Sequence, residues 1–300
     1  MRALITGGRG FVGNWLATHL RQCGDEVVAI DIETDIADQA ALDPVVTDAA
    51  PDAVYHLAAR AHVGESWEVP AEVLRVNVLG TAAVLAAARR LAKTPTVLVV
   101  SSAEVYGTVA PDQLPITEQA AVAPVTPYAA SKAAAEQVAM QAWRGYGQPV
   151  VLVRPFNHVG PGQAPTFAAS ALARRIVEAR RAGVTTLRVG TLTTRRDFTD
   201  VRDVVKAYRL LVERGQPGTV YNVCSGRDVA ISEVADRLLA LAGGRLDLTV
   251  DPDLVRPVDV PVLRGDPGRI EDATGWRAEI PLEETLRDVL AYWKEQAGPG

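Results

Sequence analysis

The 300-residue chain is 48% hydrophobic and 22% charged, with 24 Gly and 19 Pro, a balance that excludes a disordered segment and allows a substantial core in one large domain or two lobes. Its formal net charge of −5 argues against nonspecific nucleic-acid binding, which draws on surplus Lys and Arg. Cys23 and Cys224 lie far apart and beside no other ligand-like residue, which excludes a disulfide framework and a CxxC site; a reducing, cytoplasmic setting and no bound metal are expected.

The opening MRALITGG runs straight into a strand-like segment, with no basic stretch ahead of a long apolar one, so no secretory signal is expected. Short β-branched runs at 2–6, 26–31, 53–56, 96–101 and 150–154 alternate with Ala- and Leu-rich stretches at 11–22, 37–49, 69–92 and 127–146. The alternation predicts an α/β fold, a Rossmann-like doubly wound parallel sheet with helices on both faces. Residues 155–173 hold no Asp, Glu, Lys or Arg, but Pro155, Pro161 and Pro165 make them a loop leading into a helix and not a membrane span. After Pro155 the pattern loosens, with helices near 164–182, 201–214, 231–243 and 281–294 and short strands near 186–189, 219–222 and 246–250. This predicts a smaller, interleaved C-terminal substrate lobe of about 155–197 and 223–300, beside an NAD(P)-binding domain of 1–154 plus about 198–222. Charged and apolar residues alternate through 251–268, which reads as ordered loop.

Thr6-Gly7-Gly8-Arg9-Gly10-Phe11-Val12-Gly13 follows the first strand and opens the first helix. Gly7 permits a tight turn, Gly10 lets backbone approach a pyrophosphate and Gly13 lets helix and strand pack closely, while the helix N-terminus offers free N–H groups to the anion. Asp31, near the end of the second strand, is placed to accept hydrogen bonds from adenosine ribose hydroxyls. Arg9 pulls the other way, because a guanidinium in the turn can pair with a 2′-phosphate. The balance favours NAD(H) over NADP(H).

Tyr128 and Lys132 are four apart on the first turns of a helix, so both side chains share one face. An adjacent ammonium is expected to lower the tyrosine pKa and make the phenol a usable proton donor. The chain has only four lysines, which singles out the one in this motif. Ser102, at the end of the fourth strand, can orient a substrate oxygen beside Tyr128 or can simply cap a turn.

TGGRGFVG, DAVYHLAARAHV at 52–63, Asn77, SSAEVYG, PYAASK, RPFNHVGPGQ and RRDFTDVRDV together resemble the extended short-chain dehydrogenase/reductase family, in its nucleotide-sugar group, over nearly the whole chain. The resemblance implies that Asp35, Ile36, Leu57, Ala58, Ala59, Asn77 and Pro155 line the cofactor site with the glycine turn, Tyr128 and Lys132. It also implies that Asn157 contacts a sugar-nucleotide phosphate and that Arg196 and Arg256 clamp the diphosphate. The strings RPFNHVGPGQ, RDFTDVRDVVKAY, VYNVCSGRDVAISE and RPVDVPVLRGD point to the members that reduce the C4 keto group of a GDP-sugar, and a homodimer through the helices at about 69–92 and 127–146 is expected with them.

Other activities of the family remain open at this point. A 4,6-dehydratase needs a further acid/base pair right after the hydroxyl residue, and here those positions are Ala103 and Glu104. Glu104 can serve as a base, but Ala103 has nothing to donate. Epimerases need neither. A noncatalytic cofactor sensor on the same fold is disfavoured by Ser102, Tyr128 and Lys132 occurring together.

Overall fold

The computed structural model describes residues 1–243, 246–254 and 260–298. Arg256 lies outside them, as does part of the 251–268 segment.

The first half lays down β1 (Arg2–Thr6), α1 (Phe11–Gln22), β2 (Glu26–Ile30), α2 (Gln39–Ala49), β3 (Ala53–His56), α3 (Pro70–Leu74), α4 (Gly80–Arg89), β4 (Thr96–Val100), α5 (Pro127–Tyr146) and β5 (Val150–Pro155). The second adds β6 (Asn157–Val159), α6 (Ala168–Arg181), β7 (Thr186–Val189), β8 (Arg195–Asp200), α7 (Val201–Arg214), β9 (Val220–Val223), β10 (Asp228–Ala230), α8 (Ile231–Ala242), β11 (Asp247–Val250), β12 (Val262–Leu263), α9 (Gly268–Thr274) and α10 (Leu282–Gln296). The main sheet is parallel throughout, in the order β2-β1-β3-β4-β5-β9. Chain direction across the sheet reverses between β1 and β3, and that crevice is where such sheets bind ligands.

The central strands are apolar on both faces because helices cover both. Ile5, Tyr55, Leu98 and Val153 pack with α1 and α7, whereas Leu4, Val54, Val97 and Leu152 pack with α2, α4 and α5. In α1, Gly13, Leu16, Ala17 and Leu20 form the buried stripe, and each fully buried leucine contributes about 2 kcal/mol. Asp38 caps α2 by accepting from the N–H groups of Ala40 and Ala41, which starts that helix at 39 and not at 37. Thr126 caps α5, Pro127 takes its first position and Gly147 ends it at φ +67°.

The expected helix at 69–92 is broken into α3 and α4 by a π-turn at Arg75–Leu79. Pro70–Arg89 is long and apolar enough to cross a membrane by length and composition alone. It is instead a core helix, with α4 packed between α2 and α5.

A second core gathers α6, α8 and α10 with β7 and β8. There β8 is the hub, pairing with β10, β12 and β6. Its RRDFTD sequence shows no strand alternation, because successive side chains from Arg196 to Asp200, most of them polar, are buried alike. Asp197, wholly buried, accepts from Ser225 N–H and Oγ, Gly226 N–H and Gly265 N–H. Although it follows the second-lobe segments in sequence, α9 packs on α7 and β9 of the first core.

Candidate active site

A cleft of about 1220 Å³ opens at the carboxyl ends of the strands, between the main sheet and the second core. Its floor begins at the glycine turn. Gly7 takes φ +71°, and a Cβ there would stand 2.9 Å from Ala58 N; a Cβ on Gly13 would stand 2.2 Å from Gly7 O. Helix α1 has neither a side-chain cap nor an acidic residue in its first turn, so its leading N–H groups face the cleft free of competing oxygens.

Asp31 lies in the wall of the cleft and accepts the N–H groups of Arg9, at 2.7 Å, and Ile32, at 2.9 Å. Arg9 itself does not line the cleft. Its guanidinium pairs with Glu33. Asp35 is held below the usual carboxylate range by the N–H of Ala37 and by Arg75, and Arg75 also binds Glu72. Ile36, Leu57, Ala58, Ala59 and Pro155 line the cleft. Ile32, 92% exposed beside Asp31, also lines it and was not singled out from the sequence; an aliphatic directly after the acid that ends the second strand is the signal that would find it.

Across the strand ends, Tyr128 and Lys132 rise from the first turns of α5, both buried. Lys132 Nζ donates to Val100 O at 2.8 Å. Ser102 caps the short turn Ala103–Tyr106, accepting from Glu104 N–H at 3.2 Å, and lines the cleft together with Tyr128. Burial pushes the Tyr128 phenol up to about 12, with Ser102 opposing the rise and Glu104 adding to it. Lys132 is not among the groups that act on it, so the expected lowering by the ammonium is replaced by a phenol kept protonated by its dry surroundings. Burial also brings Lys132 down to about 8, against the pull of Glu136. Glu104 lines the cleft, and Ala103 faces it with only a methyl group.

Asn77 does not reach the cleft. It is buried at the π-turn, accepting Arg60 N–H at 2.8 Å and donating to Ser131 Oγ at 2.8 Å. Its carbonyl ends a chain of bonds with one direction. Thr81 Oγ1 donates to Asn77 O, so it accepts from His56 Nε2; His56 Nδ1 then accepts from Thr6 Oγ1, which accepts from Ala58 N–H. Burial lowers His56 to about 3, so it is a neutral strut between the glycine-turn strand and the helices that carry Asn77 and Lys132.

On the far side, Asn157 and Arg196 line the cleft. Asn157 Oδ1 is buried with no hydrogen-bond partner among the described residues, as is the hydroxyl of Tyr208 in the same wall. Arg196 Nη1 donates to Val260 O at 2.7 Å. Phe11 stacks on His158 at 6.1 Å, joining the glycine turn to the substrate side.

The family model described as GDP-mannose 4,6 dehydratase matches residues 31–289. The chain is 37% identical over 298 residues, 98% of each chain, to GDP-6-deoxy-D-mannose reductase of Pseudomonas aeruginosa. The chain belongs to the extended short-chain dehydrogenase/reductases that modify nucleotide sugars. Among solved members of this short-chain dehydrogenase/reductase family, RMD from Pseudomonas aeruginosa complexed with NADPH aligns with a TM-score of 0.91 at 36% identity, covering 99% of this chain and 100% of that one. UDP-glucose 4-epimerase of Thermus thermophilus complexed with NAD aligns at 0.89 and 27% identity, covering 98% and 99%. Family enzymes of this type are NAD(P)-dependent oxidoreductases of nucleotide sugars, and the uncapped α1 start, the close Gly7–Gly13 packing and the buried Asn157 acceptor fit such ligands.

Proposed function

We propose that this protein reduces the C4 keto group of GDP-4-dehydro-6-deoxy-D-mannose to GDP-D-rhamnose. The observation that carries the reading is Ser102, Tyr128 and Lys132 brought together in one cleft, with a methyl group at Ala103 where dehydration requires a second proton carrier. The nicotinamide dinucleotide supplies the hydride. Gly7, Gly10, Phe11, Val12 and Gly13 hold its pyrophosphate, Asp31 its adenosine ribose and Lys132 its second ribose. Ser102 orients the substrate carbonyl, and Tyr128, kept protonated by burial, gives its proton to the oxygen as negative charge develops there. Asn157, through its Nδ2 amide, and Arg196, with Arg256 beyond the described residues, bind the sugar-nucleotide diphosphate, while Asn157 Oδ1 is left to accept from a sugar hydroxyl.

NAD(H) is the better cofactor on this reading. Asp31, Asp35 and Glu72 line the adenosine end, and Arg75 there is already engaged by two of these carboxylates. A 2′-phosphate would meet uncompensated negative charge. Purified protein given the keto-sugar nucleotide should oxidise NADH with a kcat/KM at least about tenfold above that with NADPH, and NMR should show the rhamno product. Absence of oxidation with both cofactors would refute the reductase. Glu104 gives the 4,6-dehydratase a specific footing, and formation of the keto-sugar from GDP-mannose would select it.

Leu74 and Leu79 are 46% and 58% exposed on the outer side of the α3–α4 segment, next to α5. These residues support a homodimer through that surface. Light scattering should give twice the chain mass, and Leu79→Glu should return the monomer.

A further inference from the structure

Beneath Lys132, one turn further along α5, lies a buried ion pair that the mechanism above does not use. Glu136 and Arg154 are 2% and 5% exposed. Arg154 reaches Glu136 with both Nε, at 2.8 Å, and Nη2, at 2.6 Å. Burial works against the guanidinium, but Glu136 and the Tyr106 hydroxyl hold its pKa above the usual value.

Two buried charges are costly to desolvate, and apolar residues of the same volume often serve stability as well or better. What this pair touches is more informative. Glu136 Oε1 accepts from Ser101 Oγ at 2.5 Å, and Arg154 Nη1 donates to Tyr106 Oη at 3.0 Å. Tyr106 in turn donates to Asn222 Oδ1 at 2.7 Å. Ser101 and Tyr106 bracket the turn that carries Ser102 and Glu104. Lys132 and Glu136, on one face of α5, therefore grip successive residues at the end of β4, Lys132 through Val100 O and Glu136 through Ser101.

We propose that the Glu136–Arg154 pair is the positioning element that fixes the Ser102 turn, and Lys132, against Tyr128. The inference rests on the reductase reading for the roles of those three residues. Glu136 is also the carboxylate whose attraction opposes the desolvation of the ammonium. The other ionisable groups around Lys132 add no countercharge of their own next to it: His56 on β3 is neutral, Tyr128 is protonated, and Glu104 in the turn after β4 acts on Tyr128. Arg154, from β5, faces Glu136 and not Lys132.

The test pairs Glu136→Gln with Arg154→Met, so that neither charge is left buried alone, and labels lysine with 13C at Cε. Lys93, Lys132, Lys206 and Lys294 are the whole lysine set, so each signal can be assigned by substitution. In the double variant the Lys132 titration should move down by about one pH unit and kcat should fall about tenfold or more, with the affinity for NADH within about threefold. A folded double variant with the Lys132 titration and kcat of the native protein would overturn the proposal. If the double variant does not fold, Arg154→Lys decides: it keeps the charge but loses the two-pronged grip, so kcat should fall about tenfold, and an unchanged kcat would overturn the proposal. The NMR reading needs no substrate, so an inactive native protein would count against the reductase reading and leave the titration as the test of the pair.

Discussion

Tyr128→Phe should lower kcat by about 10³-fold while leaving NADH affinity within about threefold. The ring is buried at 8% exposure, and phenylalanine keeps its packing, so the variant removes the hydroxyl and little else. Ser102 keeps the Glu104 N–H, so the turn stays capped. The pH profile carries the companion result. Tyr128 is pushed up to about 12 and remains a proton donor through the neutral range, whereas Lys132 lies at about 8. Lys132 is charged below that value and neutral above it, so native activity should decline as pH rises through about 8, and a profile flat from 7 to 10 would contradict this assignment. Stopped-flow hydride transfer with the native protein and the Tyr128→Phe variant separates loss of chemistry from loss of binding.

Gly13→Ala should abolish cofactor binding and destabilise the fold. The added methyl would lie 2.2 Å from Gly7 O and 2.8 Å from Gly8 C and Cα. These are backbone atoms of a turn tied by Gly8 N to Ile30 O and by Gly10 N to Gly7 O, so no flexible side chain can move aside. Relieving the overlap lifts the N-terminus of α1 off β1 and costs about 3 kcal/mol, a large share of a typical stability of about 5–15 kcal/mol. Calorimetry should show no heat of NADH binding, and the thermal midpoint should drop. Gly147→Ala is the control, since its Cβ would meet nothing; it should bind NADH normally and lose only the modest stability that a left-handed C-cap requires of glycine.

Much of the first half of the fold was legible because its signals are local. Alternation of β-branched and Ala/Leu-rich stretches and glycines at fixed spacing each report on a few neighbouring residues. The same cues failed where burial is polar. RRDFTD gave no strand signal, although β8 organises the second sheet, because Asp197 and Arg196 are buried by satisfying backbone groups distant in sequence. The helix at 69–92 looked continuous because a π-turn keeps helical composition; only the bonds of Asn77 to Arg60 and Ser131 show why the extra residue is there.

For the site, the chain order determined which residues were available: the turn from Gly7 to Gly13, an acid at 31, a hydroxyl at 102, and a phenol and an ammonium four apart. Spacing along one strand or helix is enough for that, since backbone geometry translates it directly into shared faces. Charge and protonation were decided by the tertiary structure. The phenol of Tyr128 rose instead of falling, and Arg154 from β5 came to pair with Glu136 beneath Lys132. A pKa depends on how much water is excluded and which distant chain segments supply the compensating charges, and neither quantity exists until the strand ends, α5 and the second core have closed around the cleft.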